Sequence, residues 1–156
     1  MIGAVPKRFF LTSGSGEASN PLNAFDAALL RAGIGDTNLV KMSSILPPRA
    51  EEVTPYIFPK GTLVPVAYGE LTCDRPGTRI SAAVAVGIPE DPEMAGLIME
   101  CSHEGTPASC ERAARAMVRE GMEQIRGIKL REIKSVSASL TVRRVGAVFA
   151  AVVLCP

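Results

Sequence analysis

The segment Val145-Gly-Ala-Val-Phe-Ala-Ala-Val-Val-Leu154 is apolar without interruption, and it narrows the architecture more than any other stretch of the chain. Successive side chains of a strand point to opposite faces, so a strand with this composition is buried on both sides and its sheet must be covered on both. Just upstream, Ser135-Val-Ser-Ala-Ser-Leu-Thr-Val142 alternates polar and apolar residues, the mark of a half-buried strand. Such covering needs a substantial core, and hydrophobic residues make up 47% of the chain. Aromatics contribute only 4%, with no Trp, so Ala, Val, Leu, Ile and Met must fill that core. A length of 156 residues fits one domain, 1–156, and leaves little room for a second.

Two helices frame the strands. Asn20-Pro21 is a helix start, with Asn as cap and Pro at the first helical position, and the spacing predicts a helix over Pro21 to Ala32. Leu22, Phe25, Leu29 and Leu30 share one face of it, and Asp26 falls on that same face. The second helix is predicted over Pro107 to Arg126, capped by Thr106 and Gly127, with Cys110, Ala113, Ala114, Met117, Val118, Met122 and Ile125 in one stripe. Strands are predicted at Val5–Leu11, ending in a turn at Thr12–Gly16, and at Asn38–Leu46, ended by Pro47-Pro48. Gly61–Thr72 and Arg79–Ile88 read as a pair of strands joined at Asp74-Arg-Pro-Gly77, and Gly96–Cys101 as a further short strand. This order predicts an α+β fold, a layered α/β/β/α-type sandwich with helices packed outside the sheets.

Several functions lose their basis here. Lys and Arg total 17 against 16 Asp and Glu, a net charge of +1 with no basic run, so nucleic-acid and anionic-membrane partners have no electrostatic footprint. No segment approaches the roughly 18 apolar residues of a membrane span, and Met1–Phe10 lacks a signal-peptide pattern; the expectation is a cytoplasmic protein. Cys73, Cys101, Cys110 and Cys155 show no C-x-x-C pair, and His103 is the only histidine, so the cysteines read as reduced core thiols and no metal site is expected. Gly14-Ser-Gly16 is neither a dinucleotide fingerprint nor a phosphate loop.

Two carboxylates are out of place. Asp26 shares a helix face with leucines, and Glu100 closes the apolar run Gly96-Leu-Ile-Met-Glu100. A carboxylate in apolar surroundings must pair with a cation, shift its pKa, or face a cleft or an interface. The third unusual feature is Ser43-Ser44, set in a hydrophobic strand end before two prolines.

The stretch Asn38-Leu-Val-Lys-Met-Ser-Ser-Ile-Leu-Pro-Pro48 resembles the pyruvoyl-dependent arginine decarboxylase family. So do Pro21-Leu-Asn-Ala-Phe-Asp-Ala-Ala-Leu-Leu30 and Ala32-Gly-Ile-Gly35 before it, and Leu63-Val-Pro-Val-Ala-Tyr-Gly69, Ile80-Ser-Ala-Ala-Val84 and Gly96-Leu-Ile-Met-Glu100 after it. The motifs are collinear and span essentially the whole chain. The resemblance implies self-cleavage between Ser43 and Ser44 into a beta chain, 1–43, and an alpha chain, 44–156, whose first residue becomes a pyruvoyl group. That group would form a Schiff base with L-arginine and yield agmatine and CO₂. The resemblance further implies Glu100 as proton donor, Asn38 as donor or positioning group in processing, Asp26 as partner of the substrate guanidinium, and homotrimers or dimers of trimers with sites between subunits. Two rivals stand beside this reading. The same chemistry could act on another substrate such as S-adenosylmethionine, against which Asp26 argues because it favours a cationic side chain. The chain could instead be an unprocessed oligomeric binding module, which has no need of Ser43, Ser44, Asn38, Asp26 and Glu100 together.

Overall fold

The computed structural model describes residues 3–156. The apolar C-terminal run forms β9 (Val145–Cys155), buried from Gly146 to its end, at the centre of a five-stranded sheet. It is flanked antiparallel by β1 (Arg8–Ala18) and β5 (Leu63–Cys73). The short strands β2 (Asn38–Lys41) and β4 (Glu51–Glu52) close the two edges, each parallel to its neighbour, giving the order β2-β5-β9-β1-β4. A second sheet has the order β3-β7-β6-β8, built from β3 (Ile45–Leu46), β6 (Arg79–Pro89), β7 (Gly96–Glu104) and β8 (Leu130–Thr141).

Strand alternation builds three apolar layers from these sheets. Val148, Ala150, Val152 and Leu154 of β9 face Ala82, Val84, Val86 and Ile98 of the second sheet. The alternate residues Ala147, Phe149, Ala151 and Val153 face the helix α1 (Pro21–Arg31). On the far side of the second sheet, Ala83, Ala85 and Leu97 meet the helix α2 (Pro107–Arg119). The result is the expected α/β/β/α sandwich, with both faces of β9 covered. Both predicted N-terminal caps are present: Asn20 Oδ1 accepts from Asn23 N–H at 2.9 Å and Thr106 Oγ1 from Ser109 N–H at 3.2 Å.

Four expectations are corrected. First, Thr12–Gly16 is no turn; β1 runs straight through it because α1 lies almost on its backbone. A Cβ on Gly16 would sit 2.6 Å from Ala27 Cβ, and one on Gly14 would fall 2.8 Å from Ala32 N and onto the Ala28 carbonyl. Second, β5 and β6 belong to different sheets. The chain turns between layers through Gly77, whose φ of +85° lies in the left-handed region that favours glycine, and Gly77 N–H bonds Val142 O at 2.8 Å. Third, α1 buries Ala24, Ala28 and Leu29 and meets the glycines of β1 through Ala27 and Ala28, while Leu22 and Leu30 stay 77% and 56% exposed. Fourth, α2 passes at Glu120–Ile125 into a π-helical turn. That turn changes the periodicity of the stripe, keeping Met122 buried and leaving Ile125 72% exposed.

The close approach of α1 and β1 is testable. Gly14→Ala is expected to lower stability by roughly 1–3 kcal/mol through overpacking, read as a lower midpoint in urea unfolding; an unchanged midpoint would show that α1 can lift off β1 without cost.

Candidate active site

The two serines lie where the chain leaves one sheet for the other. Met42 N–H bonds Val66 O of β5 at 3.0 Å, so residue 42 still belongs to the first sheet. Two residues later Ser44 O accepts from Ile98 N–H of β7 at 2.7 Å, and β3 then pairs antiparallel with β7, Ile45 opposite Leu97 and Leu46 opposite Gly96. The Ser43–Ser44 peptide is therefore the crossover, held by a different sheet on each side. Ser43 is exposed and Ser44 half-buried. Pro47 and Pro48 end the ladder as expected, and the chain turns away through Arg49, held at φ 61° and paired with Glu93.

Glu100 stands two residues beyond Ile98 on β7 and so on the same face of that strand, roughly 7 Å along it. Ile98 points into the layer between the sheets, and Glu100 occupies the margin of that layer, half-buried. Burial pushes its carboxyl above the ordinary carboxylate range, opposed by the charge of Lys41 and by a hydrogen bond from its own backbone N–H. Lys41 is the last residue of β2, two before Ser43, and its Nζ lies over the Tyr68 ring, 4.5 Å from the centroid. The sequence reading missed both Lys41 and Tyr68. The only signal was Lys41's position inside the motif, because one strand does not reveal which neighbour its cation will meet.

The remaining candidates lie elsewhere in the chain. Asn38 begins β2, three residue steps or about 10 Å of strand before Lys41. Its Nδ2 donates to Gly61 O at 3.0 Å and its N–H to Thr62 O at 2.8 Å. With its amide engaged there, Asn38 is not placed within its own chain as an oxyanion donor at Ser43; the structure gives it the work of fixing the start of β2. Asp26 is exposed on the outer surface of α1, which packs on β1, β9 and β5. Its association with leucines is real but points outward: Leu22, Asp26 and Leu30 follow one another at four-residue spacing along the solvent face. One chain thus brings together Ser43, Ser44 and Glu100, and holds Asp26 and Asn38 apart from them.

Cys101 and His103 do not form a reactive pair. His103 Nε2 is 2.9 Å from the Ser109 hydroxyl at the start of α2. The Cys110 thiol donates to Cys101 O at 2.9 Å and is pushed up to about 12, first by burial and then by the neighbouring Cys101, as befits an unreactive core thiol.

The chain is thus a two-sheet sandwich flanked by helices, with a serine pair at the crossover and a carboxyl on the adjoining strand. The fold is similar to that of a solved pyruvoyl-dependent histidine decarboxylase, with TM-score 0.53 and 16% identity over 63% of this chain and 52% of that one; this chain thus spans about half the length of that protein. The family described as pyruvoyl-dependent arginine decarboxylase (PvlArgDC) matches residues 8–156, and the chain belongs to it. Curated relatives named pyruvoyl-dependent arginine decarboxylase include that of Methanococcus aeolicus, 48% identical over 96% of this chain and 90% of the relative. Those of Methanocaldococcus jannaschii and Pyrococcus abyssi are 46% identical over the same shares and 43% identical over 100% and 99%, respectively.

The raised pKa of Glu100 has a sign that can be checked. A carboxyl that holds its proton more tightly folded than unfolded adds stability below its unfolded pKa, and that stability is lost as pH rises through the folded value. Glu100→Gln is therefore expected to be more favourable to stability, relative to wild type, at pH 7.5 than at pH 4. Urea midpoints at the two pH values measure this, and an equal difference at both would remove the buried-carboxyl assignment.

Proposed function

We propose that the chain cleaves itself between Ser43 and Ser44 and then converts L-arginine to agmatine and CO₂. The observation that carries this reading is the crossover: the one Ser-Ser peptide bridges two sheets, anchored by Val66 O on one side and Ile98 N–H on the other, with Glu100 on the adjoining strand. Membership of the pyruvoyl-dependent arginine decarboxylase family supports both the cofactor and the substrate.

In processing, the Ser44 hydroxyl attacks the Ser43 carbonyl and the amide becomes an ester. Loss of the Ser44 α-proton then expels the Ser43 carboxylate and breaks the chain. Hydrolysis of the resulting imine releases ammonia and leaves a pyruvoyl group at the head of 44–156. The anchors on either side limit the peptide's freedom, which favours an intramolecular attack, and Asn38 is the positioning group that fixes β2 through Gly61. A pyruvoyl group carried by residue 44 would supply a ketone able to hold the substrate α-amine and an electron sink for decarboxylation. Glu100, whose half-burial lets it keep its proton to higher pH, returns a proton to the substrate α-carbon.

Substrate recognition needs a carboxylate for the guanidinium fork, and Asp26 is the family-matched residue. It lies on the outer face of α1 between two exposed leucines, which supports a site completed in a homotrimer or a dimer of trimers, with Asp26 of a neighbouring copy reaching the substrate. The exposed stripe Leu22–Asp26–Leu30 has the apolar composition that a subunit contact would cover. A carboxylate at this position favours the guanidinium of arginine, with its paired N–H donors, over the sulfonium of S-adenosylmethionine, which has no hydrogen to donate. Among the described residues no helix is long and apolar enough to cross a membrane. All four cysteines are free, which suits the reducing cytoplasm.

Intact-mass analysis under denaturing conditions, with and without a carbonyl-trapping reagent, is expected to give fragments 1–43 and 44–156, the larger one trapped at its N-terminus. Ser44→Ala is expected to remain one folded, inactive chain; cleavage in that variant would place the processing site elsewhere. For Asp26→Asn the expected change is a rise in KM for arginine of roughly tenfold or more, as for a lost charge-assisted hydrogen bond of about 1.5–3 kcal/mol, and an unchanged KM would take Asp26 out of guanidinium recognition.

A further inference from the structure

The layer between the sheets contains one close contact that bears on the proton donor. Gly69 is a buried residue of β5, opposite Ala150 of β9, and its strand neighbours on the same face, Ala67 and Leu71, pack into the inter-sheet core. Across the layer stands β7, with Ile98 in the same core and Glu100 two residues further along. A Cβ built at residue 69 would lie 3.1 Å from Glu100 Cβ, with the carbonyl oxygens of Cys101 and Ala83 next at 3.4 and 3.5 Å. The nearest of these is tighter than ordinary van der Waals contact; the other two are not. The backbone of Gly69 is not in the left-handed region, so a glycine is not required there for conformational reasons. What its missing side chain leaves room for is Glu100.

We infer that Gly69 is a positioning residue for Glu100: the absent side chain lets the root of Glu100 seat directly on the facing sheet, which fixes where its carboxyl stands relative to the residue-44 terminus. The inference rests on the reading of Glu100 as proton donor and adds the group that holds it. Proton transfer to a carbon centre depends on geometry at the sub-ångström level, since about 1 Å of misplacement can cost on the order of 10²-fold in rate. An added methyl at 69 must move Glu100 by a few tenths of an ångström, because the contact is made to its Cβ and not to a flexible end. None of the three atoms nearest that methyl belongs to the Ser43–Ser44 crossover.

The test compares four proteins, each assayed for kcat and KM per mole of pyruvoyl determined by intact mass: wild type, Gly69→Ala, Glu100→Gln and the double variant. Gly69→Ala is expected to process, to keep KM within about twofold, and to lose kcat by about tenfold. In the Glu100→Gln background the same methyl is expected to cost nothing further, because the group it displaces no longer carries the proton. Gly87→Ala serves as the packing comparison. Its methyl would crowd Val118 at 2.6 Å together with Met122 in the outer layer, and it is expected to lower the melting temperature with kcat per pyruvoyl unchanged. An equal loss from Gly69→Ala in both backgrounds, an unchanged kcat, a matching kcat loss in Gly87→Ala, or a Gly69→Ala chain that does not fold would each make Gly69 a packing residue and overturn the assignment. Near-normal turnover by Glu100→Gln alone would instead overturn the proton-donor reading, and Gly69's role with it.

Discussion

Two backbone hydrogen bonds, Met42 N–H to Val66 O and Ile98 N–H to Ser44 O, tie a three-residue stretch of chain to two different sheets. The placement of the serines depends on this double attachment. A peptide within one sheet would be held by a regular ladder, and one in a loop would sample many geometries. At the crossover the flanking residues are fixed while the peptide itself is outside either ladder. The attachment also explains why a cut there need not unfold the molecule. Residues 1–43 include β1, whose neighbours β9 and β4 both come from the other side of the cut, and α1, whose buried face lies on β1 and β9. Each product would be held by the other through a sheet and a core layer, and only one covalent link would be lost.

The second constraint is closeness. With few aromatics, the protein gains its core from many small contacts, and it achieves them by letting backbones approach. Ala27 and Ala28 of α1 lie over Gly14 and Gly16 of β1, and Gly87 and Gly121 admit α2 and its π-helical turn to the second sheet. Dispersion attraction falls steeply with separation, so narrow spacing compensates for small side chains. Gly69 continues this pattern between the sheets, but there the neighbour it admits is a carboxylate.

How much of this was legible in the sequence follows from which interactions are local. Asn20-Pro21, Thr106 and the unbroken run of β9 announce themselves because caps and two-sided burial act over a few residues or along one strand. The Ser43-Ser44 pair and Glu100 were legible as a constellation through the family motif, and the structure brings them together. The separation of β5 and β6 was not legible, since Asp74-Arg-Pro-Gly77 signals a reversal without saying whether the strands pair or enter different layers. The orientation of α1 was misread for a related reason. Its leucines form a credible apolar stripe, yet the deciding contact is the bare backbone of β1, which admits alanines and turns Leu22, Asp26 and Leu30 outward.

The position of Lys41 bears on how firmly Glu100 holds its proton. A cation in direct contact with that carboxyl would stabilise its ionised form and draw off its proton. Instead Lys41 belongs to the first sheet, paired in register with Val66, and its ammonium rests on the Tyr68 ring, whose face attracts a cation without neutralising it. Lys41 still lowers the Glu100 pKa, but burial is the larger influence and the net shift is upward. The crossover thus brings a carboxyl of one sheet near a cation of the other while an aromatic ring engages that cation. Its acidity is set chiefly by burial between the layers, opposed by Lys41 of the other sheet and by its own backbone N–H, and the two larger influences are not visible from the strand that carries it.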